Sequence, residues 1–251
     1  MKNITTMLLL FFVVFFSSCD KDSVNPEDDI ILIKATGNID DNVTAFKNQL
    51  GVLNTTPGVT GGHREINWDG VPDSLLNKPL PEDFFNPTAS DASAAMQRGV
   101  TYTPGTFVVS NNSFAPVNSE ASVEFIPFSG NNTFSNTKAA RWDVKFQKAG
   151  TTQAASVDAF GAVFIDVDKE NSTSVEFFEN AKSLGKFFVP PHDTNSNFSF
   201  LGVHFTKGER ITKVTVSHDG FLAEGTADVS QGGGKDLIVL DDFIYSEPVA
   251  Q

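Results

Sequence analysis

Leu237-Ile238-Val239-Leu240-Asp241-Asp242-Phe243-Ile244-Tyr245, close to the C-terminus, is apolar on both alternating faces except at its two central acids. Side chains alternate sides along a strand, so a run that is apolar on both sides is covered from above and below. Residues 160–167 and 198–205 read the same way, and three such runs suit the central strands of a two-sheet sandwich. Trp142-Asp143-Val144-Lys145-Phe146 alternates as a sheet with one wet face requires. Residues 122–125 and 173–177 alternate less regularly and also read as strands.

Gly, Asn, Ser and Pro clusters near residues 111–119, 129–137, 190–197 and 230–235 punctuate these runs as turns. Gly232-Gly233-Gly234 has neither the spacing nor the Ser/Thr of a phosphate loop and reads as a flexible connection before the last strand. One helix is expected, over residues 40–50: Asp40 or Asp41 can cap it, Val43, Phe46 and Leu50 share a face, and Gly51 supplies the stop. The prediction is an all-β, jelly-roll-like β-sandwich with one short N-terminal helix, forming a single domain over residues 36–251.

The N-terminus has the layout of a secretory signal: Lys2, an apolar run over residues 7–16, then Ser17, Ser18 and Cys19. A membrane-spanning helix needs about 20 apolar residues, twice the length of this run. Phe16-Ser17-Ser18-Cys19 resembles the lipobox of bacterial lipoproteins, which implies cleavage after residue 18 and a diacylglyceryl lipid on Cys19. Cys19 is the only cysteine, so the exported chain has neither a disulfide nor a cysteine metal site. Cys19-Asp20-Lys21-Asp22 is similar to the surface-export signal of Bacteroidota lipoproteins. This implies an outer-membrane lipoprotein facing the cell exterior, with residues 19–35 as a polar tether. Asp22-Ser23-Val24 and Asp73-Ser74-Leu75 resemble the short O-glycosylation motif of the same group.

Removing residues 1–18, which carry one charge, takes the net charge from −13 to −14 over the remaining 233 residues. Phosphate backbones are bound by clustered Lys and Arg, so nucleic acid is excluded as an expected partner. Four phenylalanines lie in the signal, which leaves 20 in the mature chain against two Trp and two Tyr in all. That balance favours core packing over a surface for stacking sugars, because Phe lacks a polar handle.

Gly62-His63-Arg64-Glu65-Ile66-Asn67-Trp68-Asp69-Gly70-Val71-Pro72-Asp73 and Asp83-Phe84-Phe85-Asn86 resemble a widespread family of exported bacterial proteins with no established activity. Phe160-Gly161-Ala162-Val163-Phe164-Ile165-Asp166-Val167-Asp168, Ser199-Phe200-Leu201-Gly202-Val203 and Asp241-Asp242-Phe243-Ile244-Tyr245-Ser246-Glu247-Pro248 extend the likeness over residues 36–248. The chain departs from the pattern at His63, where Arg is expected, and at Ser246, where Gly is expected. The resemblance implies a jelly-roll-like domain similar in outline to carbohydrate-binding modules, and it carries no activity across.

Asp241 and Asp242 interrupt an apolar strand on both faces at once, with Asp242 expected beside Ile238, Leu240 and Ile244, and Asp241 beside Leu237, Val239 and Phe243. A buried carboxylate costs several kcal/mol unless it is paired or bound to a metal. One reading is a calcium site with Asp241, Asp242, Asp166 and Asp168 as ligands, since calcium takes six to eight oxygens and Asp69, Asp73 and Glu170 offer more. The other is that these acids cap loops or pair with Arg64, Arg141 or Arg210. Arg64, Glu65, Trp68 and Asp69 form the densest polar and aromatic cluster. As a ligand site Arg64 and Asp69 would bond hydroxyls while Trp68 stacks on a sugar; as structure they would pin a loop through an ion pair and a buried indole.

Catalytic patterns are thin. Glu65 and Asp69 lie about 13 Å apart along an extended strand, too far for a glycosidase pair, whereas Asp166 and Asp168, about 7 Å apart on one face, suit an inverting pair or a shared metal. There is no G-x-S-x-G elbow and no H-E-x-x-H, and His63, His192, His204 and His218 show no ligand spacing. The expectation is a lipid-anchored cell-surface or cell-envelope binding module, with a glycan as one candidate ligand. The alternatives are a calcium-assisted polysaccharide hydrolase and a structural or adhesive surface protein.

Overall fold

A computed structural model of the chain describes residues 29–251; Cys19 and the Asp22-Ser23-Val24 motif lie outside the described residues. The elements are β1 (Ile30–Thr36), α1 (Asp40–Leu50), β2 (His63–Ile66), β3 (Val100–Thr103), β4 (Phe107–Ser110), β5 (Thr133–Asn136), β6 (Arg141–Phe146) and β7 (Ala155–Ser156). They continue as β8 (Ala159–Ile165), β9 (Ser174–Glu179), β10 (Lys182–Phe188), β11 (Phe198–Phe205), β12 (Lys213–Ser217), β13 (Val239–Ser246) and β14 (Val249–Ala250). The fold is the expected all-β sandwich with one helix near its start. One sheet runs β1-β11-β8-β13-β5-β4, with β2 also on β13; the other runs β10-β9-β12-β6-β3, and the strand pairs in both are antiparallel.

The three doubly apolar runs are β8, β11 and β13, adjacent at the centre of the larger sheet. Their inner faces meet the smaller sheet in the main core, where Phe160, Ala162, Phe164, Leu201, Val203, Leu240, Phe243 and Tyr245 pack against Val144, Val175, Val214 and Val216. Their outer faces are covered too. Toward one end α1 lays Val43, Phe46 and Leu50 over Ala159, Val163, Phe200 and Ile244, and toward the other the segments holding Phe114, Ala121, Phe125 and Leu222 cover Ile165, Leu237 and Val239. The double covering explains why these strands carry no polar face.

The helix docks where two glycines face each other. Gly161 and Gly202 are register partners on β8 and β11, and a Cβ on either would lie 2.8 Å from the Phe46 ring. Their missing side chains make the hollow that the ring fills, and fully burying such a ring contributes roughly 1.5–3 kcal/mol. The bounds of α1 are those read from the sequence, but its cap differs. The N-cap is Ile39, without a side-chain bond, and Asn38 Oδ1 instead accepts from Asp40 N at 3.2 Å. Asp40 and Asp41 lie in the first turn, where negative charge complements the helix dipole.

Four expectations are corrected. Residues 30–35, taken as the end of a polar tether, belong to edge strand β1, which is paired with β11 along its whole length because Ile30, Ile33 and Ala35 have apolar cover. Residues 121–123 form a 3₁₀ turn instead of a strand. The turn-like region 129–137 contains β5, which Phe134 anchors by stacking on Trp68 at 3.9 Å between ring centroids. Finally, β13 carries a bulge: Leu240 pairs with Phe164 and Phe243 with Ala162, so Asp241 and Asp242 together oppose one residue of β8. An extra residue breaks the period of two, and this one keeps Leu240 and Phe243 on the same inner face while removing both acids from it.

Candidate metal centre

Strand β8 ends at Ile165, level with the starts of β11 and β13, since Ile165 pairs with both Phe198 and Val239. Asp166 follows at once in the left-handed region, φ 69°, a conformation aspartate tolerates better than most residues. The chain therefore leaves the strand there, and Asp166 and Asp168 converge through this turn instead of standing on one face of a regular strand. His192, in the β10–β11 connection, hydrogen-bonds its backbone N–H to Val167 O and closes a third side.

The segment before β13 supplies the rest. Gly233 N donates to Asp228 O at 2.7 Å, and a Cβ on Gly233 would lie 1.9 Å from Ala227 O, so only glycine fits this turn. The loop taken as a flexible connection is thus the closure that brings Asp228 and Asp236 together. Asp236 accepts backbone N–H groups from Asp168 and Lys169, the latter at 2.9 Å. Asp228 accepts from Leu237 N at 2.7 Å and Ser230 N at 2.8 Å, and Glu124 Oε2 accepts from Ser230 Oγ at 2.9 Å.

Five carboxylates and one imidazole gather here in three overlapping groups: Asp166, Asp168 and His192; Glu124, Asp166 and Asp228; Asp168, Asp228 and Asp236. Within each group the ligand atoms lie within 4.8 Å of one another. Asp166, Asp228 and Asp236 are buried, at 2%, 0% and 0% exposure. The Oδ2 atoms of Asp166 and Asp168 are buried without a hydrogen-bond partner. Among the described residues no Lys or Arg side-chain nitrogen lies within 4.0 Å of the five acids; Lys169 and Lys235 both turn their side chains to Asp219 at the rim.

The electrostatics follow. Burial first, then the neighbouring acids, push Asp166 up to about 9. Burial also raises Asp168, to about 6, against the opposing hydrogen bond from His192. Burial disfavours the His192 cation, but the Asp193 carbonyl and the Asp168 carboxylate outweigh it and raise the imidazole. Buried carboxylates are ordinarily matched by a cation or by hydrogen bonds, and this set lacks the former. The donor set suits a hard divalent ion, which takes carboxylate oxygens at every position.

Asp241 and Asp242 lie outside these groups. Asp241 Oδ2 accepts from Phe128 N at 2.7 Å and Ser129 N at 3.1 Å, and Asp242 Oδ1 accepts from Ser129 Oγ at 2.6 Å. Lys47 Nζ lies 3.9 Å from Asp242 and 2.8 Å from Glu65. Loop N–H groups and a helix lysine meet the pair, instead of Arg64, Arg141 or Arg210. Those arginines approach Glu247, Glu176 and Asp158.

Arg64 is 1% exposed and holds Glu247 in a two-pronged ion pair, Nε–Oε2 2.7 Å and Nη2–Oε1 2.8 Å, while also donating to the carbonyls of Thr56 and Gln97. Trp68 is fully buried, and its Nε1 donates to Asp241 O at 3.0 Å. Its face is covered by Phe134, leaving none for a sugar. Asp69 is exposed and accepts from Asn131 N at 3.0 Å, with Asn132 Nδ2 donating to Trp68 O. Arg64 and Trp68 are thus buried inside the domain with Glu247 and Asp241 as partners, and Asp69 sits at the surface against Asn131.

The sequence reading singled out Asp166 and Asp168 but passed over Glu124, His192, Asp228 and Asp236. No local spacing unites them; the one legible signal is the pair of acids flanking the glycine turn before the last strand. No helix among the described residues is long and apolar enough to cross a membrane. Comparison with known protein families, curated proteins and solved structures finds no match to this chain.

Proposed function

We propose that the protein is a lipid-anchored module of the cell surface that binds a divalent cation, calcium foremost, at the Asp166–Asp168 crevice and presents the adjoining loops to a glycan or another envelope component. The observation that carries the cation reading is the pair of buried, unpartnered Oδ2 atoms of Asp166 and Asp168, set among three further acids with no Lys or Arg side-chain partner among the described residues. The cation would tie the 3₁₀ turn at residues 121–123, the end of β8, the β10–β11 connection and the segment before β13 to one another. Recognition by loops on a rigid sandwich is the usual division of labour in such folds. The lipobox-like Phe16-Ser17-Ser18-Cys19 supports the location, since a diacylated Cys19 would supply the two acyl chains that stable anchoring takes.

Calorimetric titration with calcium tests the site: saturable binding is expected in the wild type and at least tenfold weaker binding in Asp166→Asn. Absence of any binding heat, together with no bound metal by elemental analysis, refutes the cation reading. A glycan array probed in calcium and in chelator then tests recognition, with calcium-dependent retention of a glycan expected. Cys19→Ser should move the protein from the membrane to the soluble fraction.

A further inference from the structure

The geometry points to two cations in this crevice, bridged by Asp228. The inference rests on the cation reading above and adds its stoichiometry. Each of the three groups draws its own members together, but the sharing between them is uneven. Glu124 belongs to one group only, with Asp166 and Asp228; Asp236 belongs to another only, with Asp168 and Asp228. We propose that one cation is held by Glu124, Asp166 and Asp228 and a second by Asp168, Asp236 and Asp228. Asp228 contributes to both, because a carboxylate has two oxygens to offer.

Charge argues in the same direction. With five carboxylates ionised and His192 neutral, one divalent ion leaves the crevice at −3, whereas two leave it at −1. The neighbouring lysines do not make up the difference, since both are engaged with Asp219. The buried, unpartnered Oδ2 atoms belong to Asp166 and Asp168, which share one group with His192, and each of these acids also has a group without the other: Asp166 with Glu124 and Asp228, Asp168 with Asp228 and Asp236. His192 spans the two: its Nε2 lies 2.9 Å from Asp168 Oδ1 and 3.9 Å from Asp166 Oδ1. With its Nδ1 2.7 Å from the Asp193 carbonyl, that nitrogen carries the hydrogen and leaves the Nε2 lone pair facing the metal region, the tautomer that ligating histidines adopt.

Native mass spectrometry of the mature, detergent-solubilised chain in saturating calcium counts the ions. Two per chain is expected in the wild type, and one per chain in both Glu124→Gln and Asp236→Asn, each of which removes a ligand from a different ion. One ion in the wild type overturns the two-cation inference while leaving the cation reading intact; none overturns both. Loss of both ions from a variant that retains the wild-type circular-dichroism spectrum would contradict the assignment of separate ligand groups. Because the wild-type count needs no substitution, a variant that fails to fold does not shield the inference.

Discussion

His192 Nε2 stands 2.9 Å from Asp168 Oδ1 while the other ring nitrogen stands 2.7 Å from the Asp193 carbonyl oxygen. With no cation in place, the contact to Asp168 requires a proton shared between Nε2 and Oδ1; with a cation bound and that proton lost, the Nε2 lone pair would be free to face it. A bound cation would therefore compete with protons for one set of groups. Asp166 and Asp168, raised to about 9 and about 6, must lose any proton before they ligate. Calcium affinity is expected to fall at least tenfold between pH 8 and pH 5. Titrations at pH 7.5 in buffers of different ionisation enthalpy should show proton release on binding. Affinity independent of pH over that range would contradict the competition.

Arg64 and Glu247 form a buried, two-pronged pair in which each group is the other's main partner. Truncating one member leaves the other charged and unmatched, so Arg64→Ala is expected to cost about 3–5 kcal/mol in denaturant unfolding. Arg64→Lys should recover only part of this, since an ammonium cannot reproduce the fork. Calcium stoichiometry should not change in either variant that folds.

The Gly161–Gly202 hollow under Phe46 predicts an uneven pattern. Gly202→Ala drives a methyl into the ring and should cost roughly 1–3 kcal/mol, and Phe46→Ala about 3–5 kcal/mol. Combining Gly202→Ala with Phe46→Leu should cost less than the sum of the two single changes, because the smaller side chain relieves the clash. Strict additivity in unfolding free energies would argue against this docking geometry.

Asp241 gives a pH prediction of opposite character. Burial, and then the Asp242 carboxylate, raise its folded value to about 8 from the ordinary 3.8. Between these values the native state holds a proton that the unfolded chain releases, so this residue's contribution to stability is fully present below about pH 3.8 and is lost as pH rises toward 8. Asp241→Asn, which keeps an acceptor for the Phe128 and Ser129 N–H groups, should be more stable than the wild type at pH 8 by roughly 1 kcal/mol or more, and little different at pH 4. The reverse ordering of melting temperatures would contradict the buried-proton account.

The central strands and the helix were legible because their signals are local. Residues 160–167, 198–205 and 237–245 announce double covering by having no polar face, and Val43, Phe46 and Leu50 mark one side of a helix. The bulge at Asp241–Asp242 was not legible: a period of two assigns faces only until a residue is inserted, and the acids themselves mark the insertion only after the strand is paired. Strand β5 was hidden because Thr133, Ser135 and Asn136 look like turn residues, while its reason to be a strand is Phe134 stacking on a tryptophan 66 positions earlier. The acidic crevice was half legible. Asp166 and Asp168 are close in sequence, but Glu124, His192, Asp228 and Asp236 reach them only through the ends of three neighbouring strands and a glycine turn.

The most direct test of the cation-binding crevice is the melting temperature of the protein in excess calcium against that in excess chelator. Binding to the native state stabilises it by RT ln(1 + [L]/Kd), about 2.7 kcal/mol at a hundredfold excess over Kd. For a domain of this size that corresponds to a rise of roughly 5–10 °C. The account predicts this gap in the wild type and its collapse in Asp166→Asn. Identical melting temperatures in calcium and in chelator for the wild-type chain would contradict it.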